Sequence, residues 1–213
     1  MAASQPPQAR SIARWLTNPF DYVAGGRALG IGLGIIALSG VIAAGSGVHF
    51  DGVLDTHVGT RAIPFWSIAV QGFVNWAVVS ALLLAAGMLL SKSKPRPIDI
   101  LGTQALARAP LLLSAFMGFV PGIREVSAAL TETMLHKGGM STLSGGGSLL
   151  SLAAVTLVAA AATVWMVVLM YRAFAVSCNV RGQRAVMVFS AALLGAELLS
   201  KAAIYGFLVK PQG

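Results

Sequence analysis

The sequence predicts an all-α polytopic membrane protein: a bundle of five transmembrane helices with short interfacial helices and a cytoplasmic N-terminus. Three observations predict it. Of 213 residues, 56% are hydrophobic and only 10% are charged, against about 25% charged in an ordinary soluble domain. The charges gather in short clusters between long apolar runs, the pattern of a chain that threads a bilayer. The basic clusters also alternate along the chain so that five crossings keep them all on one side, whereas four or six would scatter them.

The elements follow in order. Residues 1–9 are polar and proline-rich, a composition that cannot bury enough apolar surface to order itself. Beyond them Ile12, Trp15, Leu16 and the pair Tyr22 and Val23 fall near helical spacing, with Arg10 and Arg14 opposite. A short interfacial helix fits, with Trp15 at headgroup depth and Pro19 ending or bending it. Five apolar runs cover residues 28–48, 65–90, 98–120, 149–176 and 185–209. Each is near the roughly 20 residues that cross about 30 Å of hydrocarbon. Arg108 and Pro110 interrupt the third, and the proline predicts a kink there. Ala43, Ala44 and Gly45 resemble a signal-peptide cleavage site. The polar segment ahead of the first run is too long for a signal peptide, however, and the run is long enough to span, so retention is expected. No internal repeat is evident, which counts against transporter folds built from paired halves. Between the third and fourth runs, Ile123, Val126, Leu130 and Met134 recur at helical spacing and predict a second interfacial helix. A glycine-rich linker follows over 138–148. The organisation is thus a polar tail and the start of the interfacial helix over 1–17, one five-helix domain over 18–209, and a short outer tail over 210–213.

Orientation rests on the lysines and arginines. Arg10, Arg14 and Arg27 precede the first run, Lys92, Lys94 and Arg96 lie between the second and third, and Arg172, Arg181 and Arg184 flank the junction of the fourth and fifth. The alternate segments are poorer: Arg61 against Asp51 and Asp55, then Arg124 and Lys137 against Glu125 and Glu132, then Lys210 alone. The basic side is expected to be cytoplasmic. The net charge of +8 therefore reads as a topology signal with some affinity for anionic headgroups. It forms no helical stripe with interleaved aromatics, so no nucleic-acid partner is expected. Cys178 is the only cysteine, which excludes an intrachain disulfide and a cysteine zinc cage and leaves an ordinary reduced thiol.

Few residues carry candidate chemistry. Gly26, Gly30 and Gly34 recur every four residues, with Gly32 between. As a nucleotide loop they lack a preceding strand and an acidic partner. As a helix face they let another helix approach closely, in this chain or in a second copy. Arg108 lies about ten residues into the third run, hence roughly 15 Å deep, and Glu197 lies about thirteen past Arg184, hence roughly 20 Å from the same side. Charges at such depth cost on the order of 2.5–3.5 kcal/mol and seek partners. We therefore expect an Arg108–Glu197 pair, with Lys201 one turn beyond Glu197 joining the cluster. It reads either as a buried pair fixing helix register or as part of a polar path. Gln71, Asn75 and Gln104 are expected to hydrogen-bond between helices. His49, Asp51, Asp55 and His57 are metal-ligand types in one outer loop, but their spacing matches no metal motif, and no metal or cofactor is expected. There is no H-E-x-x-H, G-x-S-x-G or P-loop, and Ser200 and Lys201 point about 100° apart on a helix. No catalytic residue is assigned, and the chain is read as not an enzyme.

Four segments carry a family resemblance: DILGTQALARAPLLL at 99–113, VWMVVLMYRAFAVSCNVRGQRAVMVF at 164–189, AELLSK at 196–201, and Asn18, Pro19 and Phe20 ahead of the first run. Together they resemble the bacterial branch of the Yip (Yip-one) domain family. These are five-helix integral membrane proteins whose eukaryotic members act in Golgi and vesicle traffic and bind Rab-type GTPases. The resemblance spans about residues 18 to 205. It implies a multi-pass protein of the bacterial inner membrane, with Arg108 on the family's A-L-A-R segment and Glu197 and Lys201 on its A-E-x-x-S-K segment. The N-terminal tail is shorter than in eukaryotic members, so Rab-type partners do not transfer. The expected role is non-enzymatic, binding or organising membrane components in a trafficking-like way. The expected partners are the lipid bilayer and other membrane proteins or a second copy. The rival is a small transporter or channel with a polar path through Arg108, Glu197 and Lys201.

Overall fold

In hydrocarbon a backbone must satisfy its own hydrogen bonds, so long apolar runs become helices. A computed structural model describes residues 12–59, 63–136 and 146–208. Among them five helical spans are long and apolar enough to cross a membrane: Gly25–Ser46, Phe65–Leu90, Pro97–Phe119, Leu150–Cys178 and Gln183–Leu208. The chain is therefore an all-α bundle of five spans. Two faces result, a near side carrying the segment ahead of the first span and a far side carrying the loop after it.

A six-residue helix α1 (Ile12–Thr17) precedes the bundle, and Pro19 opens a separate 3-10 turn (Pro19–Asp21). Trp15 stacks on Tyr22, and the Trp165 indole N–H donates to the Leu16 carbonyl at 2.8 Å, fastening α1 to the fourth span. Helix α2 (Gly25–Ser46) ends where Gly47 takes a left-handed φ of 73°. Glycine adopts that conformation without a Cβ clash, and it turns the chain into strand β1 (Val48–His49). β1 pairs antiparallel with β2 (His57–Val58), Val48 opposite Val58 and His49 opposite His57. Helix α3 (Phe65–Leu90) is the second span.

The third span is broken. Helix α4 (Pro97–Leu106) stops, residues 107–110 form a tight turn, and α5 (Leu111–Phe116) resumes before a last 3-10 turn. Pro110 has no N–H, and the chain compensates with shorter bonds: the amides of Arg108 and Ala109 reach back three residues, to Ala105 and Leu106. Helix α6 (Ile123–His136) lies on the far side, with Ile123 and Val126 buried. The side chains of Leu130 and Met134 lie outside the described residues. Helix α7 (Gly146–Cys178) begins inside the glycine-rich segment, so Gly146 and Gly147 are helical rather than linker. Helix α8 (Gln183–Ala203) closes the bundle and ends in a π-helical turn over Ile204–Leu208. Arg10, Arg61, Lys137 and Lys210 lie outside the described residues.

Helix α2 packs chiefly on α4 and α3, and α3 on α8. Of the most apolar stretch of each span, 72% is buried in the third but only 17% in the fourth, so α7 presents most of its surface outward. The packed glycines of α2 are not the ones its four-residue stripe suggested. Gly26, Gly30 and Gly34 are exposed, with nothing within 4 Å of a Cβ built on them. The close approaches occur at Gly32, against the backbone of Ala105 and Leu106, and at Gly40, against the Ala69 carbonyl. Gly32 lies two residues beyond Gly30, about 200° round the helix. It shares a buried stripe with Ala28, Ile36, Gly40 and Ala43. Gln104 does bond between helices, its amide donating to the Met170 carbonyl of α7 at 2.9 Å, and Thr103 meets Ser177 beside it.

Candidate functional site

Glu197, Lys201 and Tyr205 recur every fourth residue and so share one face of the last span. That face holds the loop between β1 and β2. Glu197 Oε2 accepts the Leu54 N–H at 2.8 Å, and Lys201 Nζ lies 2.8 Å from Asp55 Oδ2 and 3.2 Å from Glu197 Oε1. The Tyr205 hydroxyl donates to Asp51 Oδ2 at 2.7 Å. From α3, Gln71 Oε1 accepts the Phe50 N–H at 2.9 Å, and Asn75 Nδ2 donates to the Phe50 carbonyl at 2.7 Å.

Depth explains these bonds. Glu197 is eleven residues from the end of its span at Leu208, about 17 Å at 1.5 Å per residue. Asn75 is ten residues into α3, about 15 Å. The loop therefore dips into the bundle instead of lying in water, and Phe50, Asp51 and Val53 are buried. Irregular backbone at membrane depth needs protein groups in place of solvent. The polar residues of α3 and α8 supply them. Gly52 is required by space: a Cβ there would overlap the Glu197 carboxylate. At the hairpin, a Cβ on Gly59 would overlap the His49 ring, and the Gly59 amide closes on the Gly47 carbonyl at 2.9 Å.

The hairpin gathers ionisable groups. His49 and His57 stack with ring centroids 5.6 Å apart. Asp51 sits 3.9 Å from His49 Nδ1 and 3.6 Å from His57 Nε2, and Asp55 sits 3.4 Å from His57 Nδ1. Burial pushes the His49 imidazole below its ordinary value, against the opposing pull of Asp51. The hydrogen bond to Asp55 pushes His57 upward, against its own burial, and Asp51 adds to the rise. Asp55 is held well below the usual carboxylate range by His57, with Lys201 adding to it against burial. The result is a linked array, Glu197 to Lys201 to Asp55 to His57 to Asp51 to Tyr205, that fastens the loop to the last span. Among the described residues no three His, Cys, Asp or Glu side chains converge as a metal site.

Of the expected cluster, the structure joins Glu197 directly to Lys201 and holds Arg108 within electrostatic reach of Glu197 but without a contact between them. Arg108 is 1% exposed, and its Nε and Nη2 have no hydrogen-bond partner. Among the described residues no carboxylate comes within ion-pair distance of it. The expected direct Arg108–Glu197 pair is not formed, because Leu54 and Lys201 draw the Glu197 carboxylate toward the loop. Gln71 and Asn75 likewise bond to loop backbone rather than to another helix. Sequence reasoning missed Asp51, Asp55 and Tyr205 as partners of the last span. Two signals pointed to them: Tyr205 extends the four-residue stripe of Glu197 and Lys201, and the loop residues Phe50, Val53 and Leu54 are too apolar for water. Comparison with protein-family models, with curated proteins and with solved structures finds no match.

Proposed function

We propose that this chain is a non-enzymatic multi-pass protein of a bacterial inner membrane that binds and organises membrane components. One observation carries the reading. Glu197, Lys201 and Tyr205 on the last span, which a catalyst or conduit would keep free, are engaged in holding a loop, while α7 offers a long apolar face to its surroundings. The Yip-like segments at 99–113, 164–189 and 196–201 support the same reading, as does the basic bias that assigns the near side to the cytoplasm. The far-side loop is then periplasmic. The test is reconstitution of the purified chain in vesicles: no flux of ions or small solutes above protein-free vesicles, and specific retention of membrane components on isolation. Catalysed turnover of a lipid or peptide, or solute flux that survives tightening the vesicles, overturns it.

A second reading has its own observation. The buried Arg108, with Nε and Nη2 unpartnered, suits a polar path through Arg108, Glu197 and Lys201 in a small transporter or channel. On that reading vesicles show flux, and Glu197→Gln abolishes it.

A further inference from the structure

Two cavities lie side by side at the far-side end of the fourth span. One is an open groove of about 450 Å³ between the end of the third span and the start of the fourth, walled by Leu113, Phe116, Val120, Leu150, Ala154 and Val158. Its walls are exposed hydrophobics: Leu113 is 49%, Phe116 54% and Leu150 77% exposed. The other, of about 200 Å³, lies on the inner side of α7 beneath β2 and α6. Its lining is mixed: Thr56, His57, Ser114, Ser127 and Thr156 stand among apolar residues that form the larger part of the wall. Met117 and Val155 line both cavities and form the partition between them.

The pairing selects an amphiphile. The groove sits between two membrane spans and among the described residues has no polar wall beyond Ser151, so it suits an apolar occupant that arrives through the bilayer. The neighbouring volume adds hydroxyls and an imidazole to its apolar walls, so it can satisfy a hydrogen-bonding group that the groove cannot. Met117 is unbranched and flexible, so a change of rotamer at the partition can join the two volumes. An isolated apolar groove could accept any neighbouring helix. A helix cannot place a polar end through a partition of one methionine and one valine, whereas a lipid has its ester and headgroup at the end of a thin chain.

We propose that the chain holds one phospholipid of the far-side leaflet laterally, with an acyl chain in the groove between the third and fourth spans. Its glycerol-ester region lies in the pocket of His57, Ser114 and Thr156. The inference rests on the reading that the chain binds membrane components, and it names the component. It also gives α6 and the hairpin a role: they roof the mixed pocket and supply polar groups to it through Ser127 and through Thr56 and His57.

The experiment uses the full chain in phosphatidylethanolamine–phosphatidylglycerol vesicles doped with a phospholipid bearing a diazirine midway along one acyl chain. After illumination, the labelled peptides are mapped. Label is expected to concentrate on residues 113–120 and 150–158. Ala154→Trp fills the groove and is expected to lower that label about tenfold, as for a tenfold weaker site at low occupancy. Leu157→Trp, on an exposed position lining neither cavity, is expected to leave it unchanged. Thr156→Val tests the polar end and is expected to lower the label while leaving the groove open. Label spread evenly over the exposed faces of α7, or equal losses in Ala154→Trp and Leu157→Trp, overturns the site. Solute flux from the same vesicles is read in parallel. Even labelling without flux sinks the lipid site alone, whereas flux sinks the broader reading.

Discussion

Adding one methyl group at Gly52 is expected to unfasten the far-side loop. A Cβ at that position would lie 2.6 Å from both Cδ and Oε2 of Glu197, well inside contact distance. The clash is with the tip of a side chain, so Glu197 swings away instead of the backbone moving. Its departure breaks the 2.8 Å bond from the Leu54 N–H and the 3.2 Å contact with Lys201. A hydrogen bond to a charged group contributes about 1.5–3 kcal/mol. The Lys201 contact is partly exposed at 38% and 16% on its two side chains, so it adds no more than about 0.5 kcal/mol. Gly52→Ala should thus cost roughly 2–3 kcal/mol. Glu197→Ala loses the same bonds and should cost about the same. The double variant has no carboxylate left to displace, so its cost should match Glu197→Ala alone, a coupling of roughly 2 kcal/mol. Reversible unfolding in mixed detergent micelles of the four proteins completes the cycle. Additivity to within about 0.5 kcal/mol would show that Gly52 and Glu197 do not meet, and the re-entrant loop would fall with it.

The hairpin should make stability depend on pH from both sides. His57 is raised above its ordinary 6.5, so its contribution is complete below that value and fades as pH climbs through the raised pKa. His49 is lowered from 6.5 and Asp55 from 3.8, so the stability they represent is present above those values and fades as pH falls. The melting temperature should therefore peak near pH 6.5, and His57→Gln should remove the alkaline limb while leaving the acid limb. Glycine packing gives a sharper contrast. Gly32→Ala forces a methyl into the Ala105–Leu106 backbone and should cost about 1–3 kcal/mol. Gly30→Ala meets open space and should be neutral or gain up to about 1 kcal/mol of helix propensity, both read by thermal denaturation. Arg108→Met should be at least as stable as the parent, since it removes a buried charge lacking partners on Nε and Nη2. Its coupling to Glu197→Gln should be weaker than that of a contact ion pair, since Glu197 acts on Arg108 through space without a shared hydrogen bond. In a Cys178→Ser background, membrane-impermeant thiol reagents should reach Arg124→Cys and Ser93→Cys from opposite faces; labelling of both from one face refutes the five-span threading.

The sequence by itself determined the class, the number of spans and nearly all their boundaries. These follow from local quantities: the length of apolar runs, the places where charge interrupts them, and the proline in the third span. Pro110 was legible because a missing N–H breaks a helix whatever surrounds it. The helix beginning at Ile123 was legible because its periodicity is written in adjacent turns. Tertiary structure alone decided which face of each helix turns inward. The first span carries two stripes of small residues, one through Gly26, Gly30 and Gly34 and one through Ala28, Gly32 and Gly40, and spacing cannot rank them. Only the docking of α4 and α3 on the second selects it. The same limit applied to Glu197. Depth along the helix axis put it near Arg108, which it reaches only electrostatically, while azimuth and the descent of the far-side loop gave it Leu54 and Lys201 as direct partners. Helical periodicity fixes positions along one axis, whereas a contact between elements distant in sequence depends on how their axes rotate and cross, and that is settled by packing.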